Sequence, residues 1–258
     1  MARAPVLFLD HGSPMEAFAR NDYTETLGRV GETLASTTAV VVVSAHFESR
    51  GPIRVTSHPS PPTIHDFGGF PRALYEVSYG CPGSPALAER IVERLCAHGL
   101  DAALDPTCGL DHGVWVPLLH LFPGATHPVL QVSLPVPRTT RLVEELGRAL
   151  APLRDDGVVL VGSGGIVHNI PLFLSGRAAA AMPRLVAFDR AIRRLVEAGD
   201  AKGLHEYASL PDAALSVPTD EHLDPLFFAF GASSGRPGRY LRDAKPEGLA
   251  LNVLRWDD

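Results

Sequence analysis

Short apolar runs alternate along the chain with longer stretches in which apolar and polar residues are mixed at helical spacing. VLFL at 6–9, AVVVVS at 39–44, the run over 128–133 and VVLV at 158–161 are continuous and of strand length. Such runs read as strands covered on both faces. Residues 53–56 read as a short neighbouring strand and 249–254 as a last one. Segments 23–35, 85–98, 113–122, 139–153, 184–198 and 221–230 read as helices, with 139–153 amphipathic. Ser84 suits the N-cap of the second of these, with Pro85 at its first helical position. Strands alternating with helices predict an α/β fold: a single domain over 1–258 with a central parallel or mixed sheet flanked by helices on both faces. Residues 57–85, SHPSPPTIHDFGGFPRALYEVSYGCPGSP, break the alternation. Their Pro and Gly density predicts a loop folded over the sheet edge, and loops of that length usually carry function.

Composition removes several function classes. The net charge is −6 and no Lys/Arg run or basic stripe is present, so no nucleic-acid partner is expected. No apolar run approaches the roughly 18 residues of a membrane span, and the N-terminal run is too short for a signal peptide. The three cysteines, Cys81, Cys96 and Cys108, are odd in number and show no CxxC spacing. They fit reduced thiols in a cytoplasmic protein. The default assembly is a monomer or small homo-oligomer.

The chemistry lies in the histidines. His11 follows the first apolar run within DHG, His46 follows the second within SAHFE, and His168 follows VVLVGSGGIV. The carboxyl ends of strands in open α/β sheets are where ligands bind, so these three are expected to converge on one sheet edge. Neutral imidazole binds zinc, iron, copper and nickel, and dispersed ligands without CxxC or HxxxH point to a fold-assembled catalytic site with an open position. Gly12 permits a tight turn after His11, and the GSGG turn before His168 suits close backbone packing but lacks the Lys-Ser/Thr of a phosphate loop. His112, flanked by Asp111 and Gly113 at a helix start, and His65 on the long loop are further site candidates. His222 stands where a loop turns into a helix. His58, His98, His120, His127 and His205 read as ordinary structural imidazoles.

These residues lie in a set of motifs: DHGSP (10–14), SAHFE (44–48), TIHDFGGFPRALYEVSY (63–79), CPGSPALA (81–88), GLDHGVWVPL (109–118), GSGGIVHN (162–169) and EHLDPL (221–226). Together they resemble the class III extradiol ring-cleavage dioxygenases, of the DOPA 4,5-extradiol dioxygenase type, and the resemblance runs in order along nearly the whole chain. It implies that His11, His46 and His222 hold one non-haem divalent metal, Fe(II) for turnover or Zn(II) as bound. It implies that His168 is a catalytic acid/base or a further ligand, and that His112 contacts substrate or dioxygen. The implied reaction opens the ring of a DOPA-like or other substituted catechol with O2, giving a muconic semialdehyde. His65 and Arg72 are expected at the substrate, where Arg72 or Arg50 would pair with a carboxylate. Asp10 and Asp111 are expected to orient imidazoles from behind. Two other readings stay open: a zinc-dependent hydrolase using the same histidines, and a non-catalytic binding protein of the same fold.

Overall fold

The computed structural model describes residues 3–242 and 251–257. Its strands are β1 (Val6–Asp10), β2 (Ala39–Ser44), β3 (Glu48–Arg50), β4 (Ile53–Thr56), β5 (Ala102–Asp105), β6 (Val129–Gln131), β7 (Leu134–Val136), β8 (Val158–Gly164), β9 (Arg239–Tyr240) and β10 (Val253–Trp256). Its helices are α1 (Asp22–Glu32), α2 (Arg72–Tyr75), α3 (Pro85–Ala97), α4 (His112–Leu121), α5 (Thr140–Leu150), α6 (Ile170–Leu174), α7 (Ala178–Ala198), α8 (Ala201–His205), α9 (Ala213–Ser216) and α10 (Asp224–Ala232).

The main sheet runs β6-β2-β8-β1-β10-β9. The first four strands are parallel, and β10 pairs antiparallel with both β1 and β9. The sheet is therefore mixed, as expected. Alternation along each strand divides its side chains between two cores. Val6, Phe8, Val41, Val43, Val158 and Leu160 pack with apolar residues of α3, α5, α7 and α10. Leu7, Leu9, Val40, Val42, Val159 and Val161 pack with α1 and α4. Both faces are covered, which explains why these strands read as unbroken apolar runs.

Three departures from the sequence reading have physical causes. The strand expected over 128–133 shortens to β6, because the chain leaves the main sheet after Gln131 and continues as an unforeseen strand, β7, which pairs with β3 in a separate two-stranded sheet. Strand β5 was not expected; its AALD sequence has low strand propensity, and pairing with β4 creates it. The final strand is Val253–Trp256, and Leu249 and Ala250 of the expected span lie outside the described residues. Strands β3 and β9 and the short helices α2, α6, α8 and α9 were also not expected. Among the expected elements the boundaries move by a few residues: Ser84 caps α3 through the Leu87 amide, and α7 reaches back to Ala178. The three cysteines are free, and no helix among the described residues is long and apolar enough to cross a membrane.

Helices α5 and α10 cross at near backbone contact. A Cβ on Gly231 would stand 1.9 Å from the Glu144 carbonyl oxygen. Alanine there gains roughly 1 kcal/mol of helix propensity but forces two backbones apart, and overpacking costs about 1–3 kcal/mol or more. Gly231→Ala is therefore expected to lower the urea midpoint. An unchanged midpoint would show that the crossing relaxes freely.

Candidate functional site

Strands β2, β8 and β1 are neighbours, so their carboxyl ends deliver His46, His168 and His11 to one edge. His222 arrives from the turn before α10. That turn lies directly on β8: the Gly165 amide donates to the His222 carbonyl at 2.7 Å, and a Cβ on Gly164 would stand 2.0 Å from the same oxygen. The glycine-rich turn thus serves the close packing its sequence suggested, and what it admits is the His222 backbone.

Hydrogen bonds fix the tautomers of His11 and His222. The Ser163 hydroxyl donates its one proton to the Gly113 carbonyl. It must therefore accept from His11 Nδ1–H, at 3.0 Å, which leaves His11 Nε2 with a bare lone pair. His222 Nδ1 donates to Glu221 Oε1 at 3.0 Å, and His222 Nε2 is buried without a hydrogen-bond partner. His46 Nδ1 lies 3.7 Å from Asp66 Oδ2, while His46 Nε2 faces His11 Nε2 at 3.1 Å. One ligand nitrogen from each of His11, His46 and His222 lies within 4.8 Å of the others. Two nitrogens sharing one ion at about 2.1 Å stand about 3.0–3.4 Å apart, so the His11–His46 separation suits a shared divalent ion. An orphaned, buried Nε2 on His222 is costly unless something binds it. The donor set fits a metal.

The electrostatics favour the same conclusion. Burial, followed by the charges of His46, His222, His112 and His168, holds His11 well below the ordinary histidine range. Burial and the neighbouring His112 and His222 bring His46 down to about 3. These imidazoles are neutral at physiological pH and their lone pairs are available to a cation.

His112 is the first residue of α4, and Asp66 clamps it: Oδ1 accepts from its amide and Oδ2 from Nδ1, each at 2.9 Å. Burial raises the Asp66 carboxyl, but the hydrogen bonds and charge of His112 outweigh that and leave it lowered. His112 Nε2 is left to face the cluster, where its ring lies 4.1 Å from that of His46. His168 stacks on His222 with ring centroids 3.3 Å apart. Neither His168 ring nitrogen makes a hydrogen bond among the described residues. Burial and then the His222 charge lower it to about 4, against the opposing pull of Glu221.

Four residues expected to orient imidazoles or meet the substrate have other partners. Both oxygens of Asp10 are taken, by the Ile166 amide and by the amide and side chain of Asn252. Asp111 accepts from the Ser44 hydroxyl at 2.8 Å. Neither touches an imidazole among the described residues. Asp66, Glu221 and Ser163 make those contacts instead. Arg72 is 92% exposed and pairs with Glu76 one helical turn away, so it points to solvent. His65 is held by its Nε2 contact to the Val77 carbonyl at 3.0 Å and packs among Phe67, Tyr75 and Trp115. It braces the long loop one aromatic layer away from the imidazoles, where Phe67 in turn meets His112. Asp66 was missed although the motif containing it was recognised, because nothing periodic marks a loop carboxylate. Its position directly after His65 was the available signal.

Comparison with known proteins agrees with this geometry. The model of the catalytic LigB subunit of aromatic ring-opening dioxygenase matches residues 5–246. The chain is 42% identical over 238 residues to a 4,5-DOPA dioxygenase extradiol of Escherichia coli K12, covering 91% of this chain and 87% of that protein. It is 37% identical over 234 residues to the protein of the same name from Beta vulgaris, covering 88% and 85%. The crystal structure of an uncharacterized Escherichia coli K12 protein superposes with a TM-score of 0.79 at 31% identity, covering 98% of this chain and all of that one. With its histidines gathered at the ends of β1, β2 and β8, the chain belongs to the LigB family of aromatic ring-opening dioxygenases and is a class III extradiol enzyme.

Proposed function

We propose that the enzyme opens the ring of a DOPA-like substituted catechol with O2, beside rather than between the hydroxyls, giving a muconic semialdehyde. His11, His46 and His222 would hold the metal, with Fe(II) as the working ion. The observation that carries this reading is the convergence of three Nε2 atoms whose opposite nitrogens are turned toward Ser163, Asp66 and Glu221. The ion supplies Lewis acidity that favours the phenolate and, as Fe(II), the redox chemistry that dioxygen requires.

The side chains do the rest. His168, neutral and with both ring nitrogens unengaged, takes the proton from the second catechol hydroxyl and returns it later in the cycle, a task suited to imidazole. His112, its Nδ1 fixed on Asp66, presents Nε2 to the substrate or dioxygen oxygen. Phe67, packed against His112, supplies an apolar wall for an aromatic ring. Among the relatives, the names 4,5-DOPA dioxygenase extradiol support the substrate class.

The test is anaerobic loading with Fe(II), then addition of L-DOPA, protocatechuate or catechol in air while visible absorbance and oxygen uptake are followed. A yellow product with stoichiometric oxygen consumption is expected, with L-DOPA ahead of the other two. Absence of both colour and uptake for every catechol, with iron bound, would overturn the proposed reaction.

A further inference from the structure

Arg138 lies just beyond β7, outside the histidine cluster, with a side chain only 6% exposed. Its guanidinium donates from Nη1 to Glu48 Oε1 at 2.6 Å, from Nη2 to Asp220 Oδ1 at 3.3 Å, and from Nε to Asp224 Oδ2. A further contact reaches the Pro135 carbonyl. The carboxylates are not scattered. Glu48 lies two residues after His46, and Asp220 and Asp224 lie two residues before and after His222. The Asp220 carbonyl accepts from the Leu223 and Asp224 amides, which closes the turn around His222. Glu48 opens β3, which pairs in register with β7. Two imidazoles 176 positions apart in the chain are thus joined through one planar group.

We propose that Arg138 is a positioning residue that sets the separation between His46 and His222. The inference rests on the proposed ligand set. Its physical basis is the fork geometry of guanidinium, which holds several carboxylates in fixed directions where an ammonium acts as a point charge. Asp224 is 2% exposed, so its contact with Arg138 cannot be exchanged for water and the arrangement is rigid on that side.

The test is a Co(II) titration of the wild-type protein, Arg138→Met and Arg138→Lys, following the visible ligand-field bands together with the unfolding midpoint of each metal-free protein. Simple electrostatics predicts that Arg138→Met binds Co(II) more tightly, since a positive charge is removed beside three carboxylates, and that Arg138→Lys is unchanged. Positioning predicts weaker binding in both. The expected loss is about 10–100-fold for methionine, the range for residues that orient metal ligands, and an intermediate loss for lysine, with altered band intensities. Co(II) affinity and spectra within twofold of wild type in Arg138→Lys would overturn the proposal, and so would tighter binding by Arg138→Met. Should the methionine variant not fold, the lysine variant decides alone. A wild-type protein that binds no Co(II) would overturn the ligand set and this inference together, which separates that failure from one confined to Arg138.

Discussion

His11→Ala is expected to lose metal and turnover together while remaining folded. The ring is buried and neutral, and its Nε2 stands 3.1 Å from that of His46. A four-ligand zinc site gains about 10–16 kcal/mol, so one ligand represents about 3 kcal/mol, or on the order of a hundredfold in affinity. Removing His11 also strands the Ser163 hydroxyl, but that group keeps its bond to the Gly113 carbonyl. The fold therefore survives better than the site. Metal content after dialysis against a weak chelator, read beside the circular dichroism spectrum, checks this. Stoichiometric metal in His11→Ala would remove the residue from the ligand set.

His168→Ala is expected to show the opposite separation: metal retained, turnover reduced by about 10²–10⁴-fold, the range for losing a general acid–base. The pH profile adds a second readout. A base works in its neutral form, so activity persists above its pKa and falls as pH drops through it. Burial and the His222 charge place that point for His168 near 4 in the metal-free protein, well below an ordinary histidine. The acid limb of kcat/KM assigned to this group should lie correspondingly low in the wild type and vanish in the variant. His168→Ala retaining full turnover would assign the proton transfer elsewhere. Loss of metal along with turnover would instead make His168 a ligand.

Much of the site was legible before any coordinates. The apolar runs ending at His11, His46 and His168 identify strands covered on both faces, and the position of ligands at strand ends follows from how such sheets are built. Adjacency in sequence is not adjacency in space. Asp10 precedes His11, but successive residues of a strand point to opposite sides, and Asp10 turns to Asn252 beside β10. Asp111 precedes His112 at a helix start and meets Ser44. Arg72 belongs to a motif that resembles the family, yet one turn of helix carries it to the solvent side with Glu76.

The sequence by itself determined the alternation of elements, the α/β class and the histidines at the ends of β1, β2 and β8, because periodicity and strand-end placement are local properties of the chain. Only the tertiary structure decided which nitrogen of His11 and of His222 is bare. That depends on Ser163 and Glu221. Ser163 lies far along the chain from the ring it orients, and a single hydrogen bond chooses between tautomers that are otherwise nearly equal in energy. Arg138 belongs to the same category: its three carboxylates come from two distant segments, and packing alone brings them to one guanidinium.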